Sequence, residues 1–172
     1  MSEFLDFAKY LSCPVVLVTA AHEGDRRIMV GTASYACLEP LVLATSIRHE
    51  SHTGATIFNS GRFGLSVASL DQIDLVQRLG RSQAGTESGA AKATRPEAVF
   101  KEFGPTGTLY LADCLVAFDC KFAQSVACGP YTTIFGLVVD TVCGTGTRPL
   151  IRYDRSYGNF AATVSGDDSY PV

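Results

Sequence analysis

Short apolar runs separated by turn residues recur along this chain and predict a fold built mainly of β-strands. Residues 14–21 (PVVLVTAA) form a continuous apolar run that ends at Glu23-Gly24-Asp25, and residues 27–36 follow as its hairpin partner. Further strands are predicted over residues 41–47, 63–69, 115–122 and 132–142. Because several strands follow one another through short turns, the pattern favours a closed antiparallel barrel over a parallel sheet.

Helical patterns are few and short. Ser51 is a candidate N-cap for a helix that ends at Gly61, and Ser69 with Gln72 has the spacing of a capping box that opens a second helix ending at Gly80. Residues 81–94, rich in Gly, Ser, Ala and Thr, predict a mobile loop, and residues 96–103 predict a short helix after it. The chain is therefore expected to be mainly β, with a few short flanking helices.

The length and composition fit one globular domain. With 172 residues, 47% of them hydrophobic and 18% charged, the chain can bury a sizeable core and is not intrinsically disordered. We expect a single domain over residues 1–172, with its core over about 8–160 and a polar tail over 163–172.

Charge and hydropathy narrow the range of partners and locations. The net charge of -3 is dispersed, which argues against nucleic acid as the partner, and no apolar run reaches the roughly 18 residues of a membrane span. Glu3 and Asp6 stand where a secretory signal would carry positive charge. These features predict a cytoplasmic protein without a membrane partner.

The six cysteines are expected to be free thiols. No C-x-x-C spacing occurs, and a cytosolic chain of this size folds without disulfides. Four of them lie in apolar, strand-like runs, where a free cysteine behaves as a small hydrophobic residue: Cys37, Cys114, Cys120 and Cys143.

Several well-known sites can be excluded from the sequence. The chain contains neither the G-x-x-x-x-G-K-[ST] phosphate loop nor the G-x-G-x-x-G dinucleotide fingerprint. Its histidines are His22, His49 and His52, and a metal site at His49 and His52 with Glu50 would lack a fourth ligand at a suitable spacing. We therefore predict no metal.

Two segments carry candidate chemistry. In residues 46–53 (SIRHESHT) a strand ends at Arg48 and Ser51, His52 and Thr53 open a helix, so an anion there would meet backbone N–H groups, hydroxyls and a guanidinium. Ordinary capping by Ser51 beside a solvated Arg48 explains this pattern equally well. Residues 30–34 (VGTAS) are small enough for a flat ligand to approach the backbone, and a bend or bulge at Gly31 is the alternative.

Taken in order, these and other segments resemble the flavin reductase-like family, the FMN-binding split barrels. The likeness covers most of residues 8–160 and rests on residues 13–19 (CPVVLVT), 30–34, 38–43 (LEPLVL), 51–53 with 61–64 (GRFG), 129–140 (GPYTTIFGLVVD) and 149–160 (PLIRYDRSYGNF). The resemblance implies a closed Greek-key split barrel that forms a homodimer.

The resemblance also implies a flavin, FMN or FAD, at the subunit interface, with NADH or NADPH as co-substrate. It implies that the phosphate lies near Arg48, Ser51, His52 and Thr53. It implies that the ring lies against Gly31, Thr32, Ala33, Ser34, Thr45 and Ser46. The other side of the ring would be lined by Tyr153 and Tyr157 from the second subunit.

One departure from the family concerns the nicotinamide site. Where many relatives carry Gly-Asp-His, this chain has Gly129-Pro130-Tyr131, which makes Tyr131 the candidate catalytic residue. A tyrosine donates a hydrogen bond and stacks, but it does not titrate near neutrality as histidine does.

The leading function implied by the resemblance is an NAD(P)H-dependent flavin reductase, which transfers a hydride to flavin N5 and supplies reduced flavin to an oxygenase or other acceptor. One alternative is an FMN-binding electron carrier that a protein partner reduces, and the tyrosine at position 131 favours it. A second alternative is a split-barrel binding module for another small planar ligand.

Overall fold

The computed structural model describes residues 7–84 and 99–159 of the chain. The acidic residues Glu3 and Asp6, the predicted loop from residue 85 onward, residues 96–98 of the predicted third helix and the polar tail lie outside this part.

Six long antiparallel strands close into a barrel, which confirms the predicted fold class. Strand β1 pairs with β2 on one edge and β4 on the other, and the remaining ladder runs β2-β3-β8-β7-β4. The barrel strands are β1 (Cys13–His22), β2 (Asp25–Leu38), β3 (Leu41–Arg48), β4 (Arg62–Val67), β7 (Val116–Cys128) and β8 (Tyr131–Cys143). Because β4 returns to lie beside β1 after three consecutive strands, the connection is a Greek key.

Smaller elements surround the barrel. The helices are α1 (His52–Ser60), α2 (Ile73–Ala84) and two 3-10 turns over Ala8–Tyr10 and Leu70–Gln72. The short strands are β5 (Phe100–Glu102), β6 (Leu109–Leu111), β9 (Ile151–Tyr153) and β10 (Ser156–Gly158). The predicted capping box of Ser69 and Gln72 forms, but it opens the second 3-10 turn, which α2 then continues.

Strand β1 separates two apolar cores. Val16 and Val18 face the barrel interior together with Phe63, whereas Val15 and Leu17 face a second cluster under α2 and the 99–115 segment. Residues 15–20 are buried without a break, which explains why the sequence there is a continuous apolar run and does not alternate.

The helix predicted for residues 96–103 is wrong where it can be compared with the structure. Phe100–Glu102 is a strand, β5, paired with β6 through Phe100–Leu111 and Glu102–Leu109. Phe100 packs against the second core, whereas Lys101 and Glu102 are exposed. The loop predicted from residue 81 also starts late, because α2 continues through Ala84.

The prediction of free thiols is confirmed for all six cysteines, but only two of the four that were expected to behave as small hydrophobic residues are buried. All six cysteines are free; Cys114 and Cys120 are buried, whereas Cys37 and Cys143 are exposed, so their assignment to the core is wrong. Both exposed residues lie toward the ends of their strands, β2 and β8. Burial raises the pKa of the Cys114 thiol to about 11 and that of Cys120 to about 12, so both stay protonated at neutral pH.

Candidate functional site

The outer faces of β2, β3 and β8 carry the predicted binding residues of the strands. Ala33 pairs with Thr45 and Ser34 with Ala44, so alternate residues of each strand point to opposite faces. Thr45 is buried, and Ala33 packs against the interior cluster. Of the predicted site residues on these strands, five have exposed side chains: Thr32 and Ser34 of β2, Ser46 and Arg48 of β3 and Tyr131 of β8; we call these five residues the outer shelf.

Hydroxyl groups tie the strands together at the shelf. Ser46 Oγ and Thr133 Oγ1 lie 2.9 Å apart across β3 and β8, and Thr45 Oγ1 donates to the Thr32 carbonyl at 3.0 Å. Gly31 lies next to Thr45: a Cβ added at Gly31 would lie 3.7 Å from Thr45 Oγ1, an ordinary contact distance, so packing there does not by itself require glycine. The side chains of Thr45 and Ala33 therefore support the shelf from within, and a ligand on the shelf could meet only their backbone.

Arg48 is the cation of the shelf. It is paired across the ladder with Tyr131, and its guanidinium carbon lies 5.9 Å from the centre of the tyrosine ring. Within the described part of the chain, no carboxylate lies within ion-pair distance of Arg48. The positive charge is thus oriented by an aromatic face and free to bind an anion.

Helix α1 begins beside this cation. The Ser51 N–H donates to the Arg48 carbonyl at 3.0 Å, which turns the chain directly from β3 into the helix. Ser51 is extended and its hydroxyl accepts from the Gly54 N–H at 3.4 Å, as predicted for an N-cap. His52 is exposed and the Thr53 side chain is buried, so Thr53 offers its backbone N–H at the helix N-terminus.

His49 was considered in the sequence only as a metal ligand, and the structure gives it a different position. Its ring nitrogens lie 2.6 Å from Thr132 Oγ1 and 2.7 Å from the Gly129 carbonyl oxygen, both on the β7–β8 hairpin. In residues 7–84 and 99–159, no three metal-binding side chains come close enough to hold an ion. No sequence signal shows the hairpin contact, because its partners lie about 80 residues away.

The two tyrosines proposed to come from a second subunit lie apart from the shelf. Tyr153 and Tyr157 belong to the β9–β10 hairpin, which pairs with β1 on the edge opposite β2. Tyr153 is exposed and lies 6.3 Å from Tyr10, centre to centre. Tyr157 is half-buried against the second core, so only Tyr153 has a largely free ring.

Two proteins of known activity are similar to this chain over most of its length. The chain is 24% identical over 160 residues to a 4-nitrophenol 4-monooxygenase/4-nitrocatechol 2-monooxygenase reductase component from Rhodococcus opacus, covering 92% of this chain and 80% of that protein. It is 24% identical over 157 residues to an NADH:riboflavin 5'-phosphate oxidoreductase from Streptomyces pristinaespiralis, covering 90% and 85%.

Solved structures share the fold. The styrene monooxygenase flavin reductase from Pseudomonas putida S12 superimposes with a TM-score of 0.79 at 17% identity, covering 94% of this chain and 100% of that one. The sequence model of the flavin reductase like domain matches residues 8–161. This chain therefore belongs to the flavin reductase like domain family.

Proposed function

We propose that this protein is an NAD(P)H-dependent flavin reductase that supplies reduced flavin to an oxygenase or another acceptor. The observation that carries the proposal is the guanidinium of Arg48, which has no carboxylate partner among the described residues and lies beside both a helix N-terminus and an exposed tyrosine in a flavin reductase fold. The relatives' names support the reaction, because one is an NADH:riboflavin 5'-phosphate oxidoreductase and another is the reductase component of a monooxygenase.

The residues present suit FMN as the bound flavin. A phosphate is a dianion, and the guanidinium of Arg48, the Ser51 hydroxyl and the backbone N–H groups of His52 and Thr53 form a donor set for it. The ring would lie on the outer shelf, against residues 31–34 of β2 and against Thr45 and Ser46 of β3. Backbone N–H groups there would stabilise negative charge that develops on the ring.

The chemistry needs orientation more than proton transfer from the protein. Bound flavin would supply the hydride acceptor, its N5 atom, for the hydride of nicotinamide C4, which would leave as the oxidised nicotinamide. Tyr131 stands at the edge of the shelf beside Arg48, and we propose that its ring positions the nicotinamide by stacking and its hydroxyl by hydrogen bonding. This role requires no general base, and none of the five residues of the outer shelf is an aspartate, a glutamate or a histidine.

The first test is an anaerobic absorbance spectrum of the purified protein with FMN, recorded before and after NADH and then NADPH. We expect the flavin band to bleach within seconds with at least one nicotinamide, because both rings would be held in one place. The control is the same mixture without protein. Repeating the titration with FAD identifies the preferred flavin.

The same spectrum separates the two alternatives. FMN that binds but stays oxidised with both nicotinamides would contradict the reductase and support the electron carrier. A protein that takes up neither FMN nor FAD would contradict both and leave a binding module for another planar ligand. The histidine-free hairpin at Gly129-Pro130-Tyr131 is the observation that favours the carrier.

We also propose that the protein acts as a homodimer in the cytoplasm. The barrel surface next to the shelf is apolar: Val126 of β7 and Val139 of β8 are 49% and 47% exposed, and Phe135 and Leu137 are half-buried. A flavin on an open sheet face is covered on one side only, so a second copy would cover the other side and contribute its Tyr153. None of the described helices has the length and hydropathy needed to cross a bilayer.

Val126→Glu is expected to convert the dimer to a monomer, because it places a charge in the apolar surface that the second copy would bury. Light scattering during gel filtration measures the mass. Lys101→Glu, at an exposed position on β5 outside the barrel, is the matched control and should leave the dimer intact. A wild-type protein that elutes as a monomer with bound FMN would contradict the dimer.

A further inference from the structure

The imidazole of His49 holds the β7–β8 turn by both of its nitrogens. Nε2 lies 2.7 Å from the Gly129 carbonyl oxygen and Nδ1 lies 2.6 Å from Thr132 Oγ1. The backbone N–H of His49 adds a third bond, to the Pro130 carbonyl at 3.2 Å. Because a carbonyl only accepts hydrogen bonds, Nε2 must carry a proton, and in the neutral ring Nδ1 then accepts from the Thr132 hydroxyl.

Backbone pairing reaches this turn, since Tyr131 is paired with both Cys128 and Arg48, whereas the side chains around it are not buried. Beyond Phe122, every residue of β7 and the turn is exposed up to and including Tyr131, so burial contributes little to fixing the hairpin tip. The contacts of His49 fall on both sides of Tyr131, at Gly129 and at Thr132. Tyr131, whose ring faces the Arg48 guanidinium, lies between these two contacts in the chain.

We propose that His49 is a positioning residue, which fixes the β7–β8 turn so that Tyr131 and Arg48 face each other at the shelf. The inference rests on the proposed function and deepens it, because it names the group that orients Tyr131 toward the nicotinamide. His49 acts through the turn and does not itself touch the reacting atoms. Its loss therefore changes the orientation of Tyr131 while the phosphate donors Arg48 and Ser51 remain.

The test is a double-mutant cycle measured as NADH or NADPH oxidation in the presence of FMN. His49→Ala is expected to lower kcat/KM for the nicotinamide roughly 10- to 100-fold, the loss that a displaced orienting group causes. The Kd for FMN, measured by flavin fluorescence, should change by no more than about twofold. In a Tyr131→Ala background the same substitution should have no further effect beyond about twofold, because the group it positions is gone.

Three further variants isolate the hydrogen bonds from the overall fold. His49→Gln is expected to recover most of the rate, since its amide can donate to the Gly129 carbonyl and its oxygen can accept from Thr132. Thr132→Val removes only the hydroxyl partner, so it should reproduce part of the loss even if His49→Ala folds poorly. His22→Ala, at the half-buried far end of β1, is the matched control and should retain the wild-type rate.

A readout without flavin tests the geometry directly. The ¹⁵N spectrum of the neutral His49 ring should show the proton on Nε2. A proton on Nδ1, or additive effects of His49→Ala and Tyr131→Ala, would overturn the positioning role while a reactive wild-type protein leaves the proposed function standing. A wild-type protein that oxidises neither nicotinamide would overturn both.

Discussion

Replacing Arg62 by leucine is expected to lower the free energy of unfolding by about 3–5 kcal/mol, the usual cost of removing one partner from a buried ion pair. Asp119 of β7 is fully buried, and its Oδ2 accepts from Arg62 Nη2 at 2.8 Å and from Thr106 Oγ1 at 2.6 Å. Without the guanidinium, a carboxylate would remain in the interior with a single hydroxyl donor. Urea unfolding followed by far-UV circular dichroism measures the difference.

Replacing the other partner, Asp119, by asparagine should lower the free energy of unfolding by less. The Arg62 side chain is 33% exposed, so after Asp119→Asn its charge can turn toward water, and the asparagine oxygen can still accept from Thr106. We expect a loss of about 1–3 kcal/mol for that variant, the range for a buried hydrogen-bond partner left unsatisfied. Equal losses from both variants would contradict the account of a stranded carboxylate.

The double variant Arg62→Leu with Asp119→Leu provides the matched control. Arg62 Nε and Asp119 Oδ1 are buried and have no hydrogen-bond partner among the described residues, so the pair is incompletely satisfied. An apolar pair of similar volume removes the desolvation cost of both charges, and such replacements are often neutral. The double variant should therefore be more stable than Arg62→Leu alone.

The barrel could be predicted from the sequence because its strongest signals are local. The continuous apolar run of β1 reflects burial on both faces, and α1 begins after a serine cap at Ser51 and ends at Gly61, which has a positive φ of 67°. The helix predicted to include Phe100–Glu102 was wrong there because Pro96 is typical of a helix start, whereas pairing with β6 decides the structure of these three residues. Local propensity is overridden there by a partner strand.

Long-range contacts explain what the sequence did not reveal about the interior and the site. From the sequence, Asp119 would be expected to be an exposed strand residue. In the structure it is buried beside Arg62, which lies 57 positions earlier in the chain. Gly64 lies within a strand and not in a turn. A Cβ at this position would collide with the Leu109 backbone carbonyl, so glycine is needed where β6 crosses the barrel. Arg48 was found from the sequence because its helix and strand are adjacent in the chain.

The double variant Arg48→Leu with Ser51→Ala is expected to weaken FMN binding more than any other change proposed for the site. Each charge-assisted contact to a phosphate contributes about 1.5–3 kcal/mol, so loss of the guanidinium alone should raise the Kd of FMN about 10- to 150-fold. Ser51→Ala also removes the hydroxyl that caps α1 through Gly54, which costs about 0.5–2 kcal/mol of helix stability. Flavin fluorescence quenching measures the Kd.

The choice of ligand makes this experiment specific for the phosphate. Riboflavin carries the same ring without the phosphate, so its affinity should be nearly the same for the wild-type protein and the double variant. Arg48→Lys is the matched control, because it keeps the charge but loses the planar guanidinium that can bind two phosphate oxygens at once. Its affinity for FMN should lie between those of the wild type and the double variant. If the double variant bound FMN as tightly as the wild type, or lost FMN and riboflavin equally, the phosphate would not lie at Arg48, and the cation beside Tyr131 would need another anion.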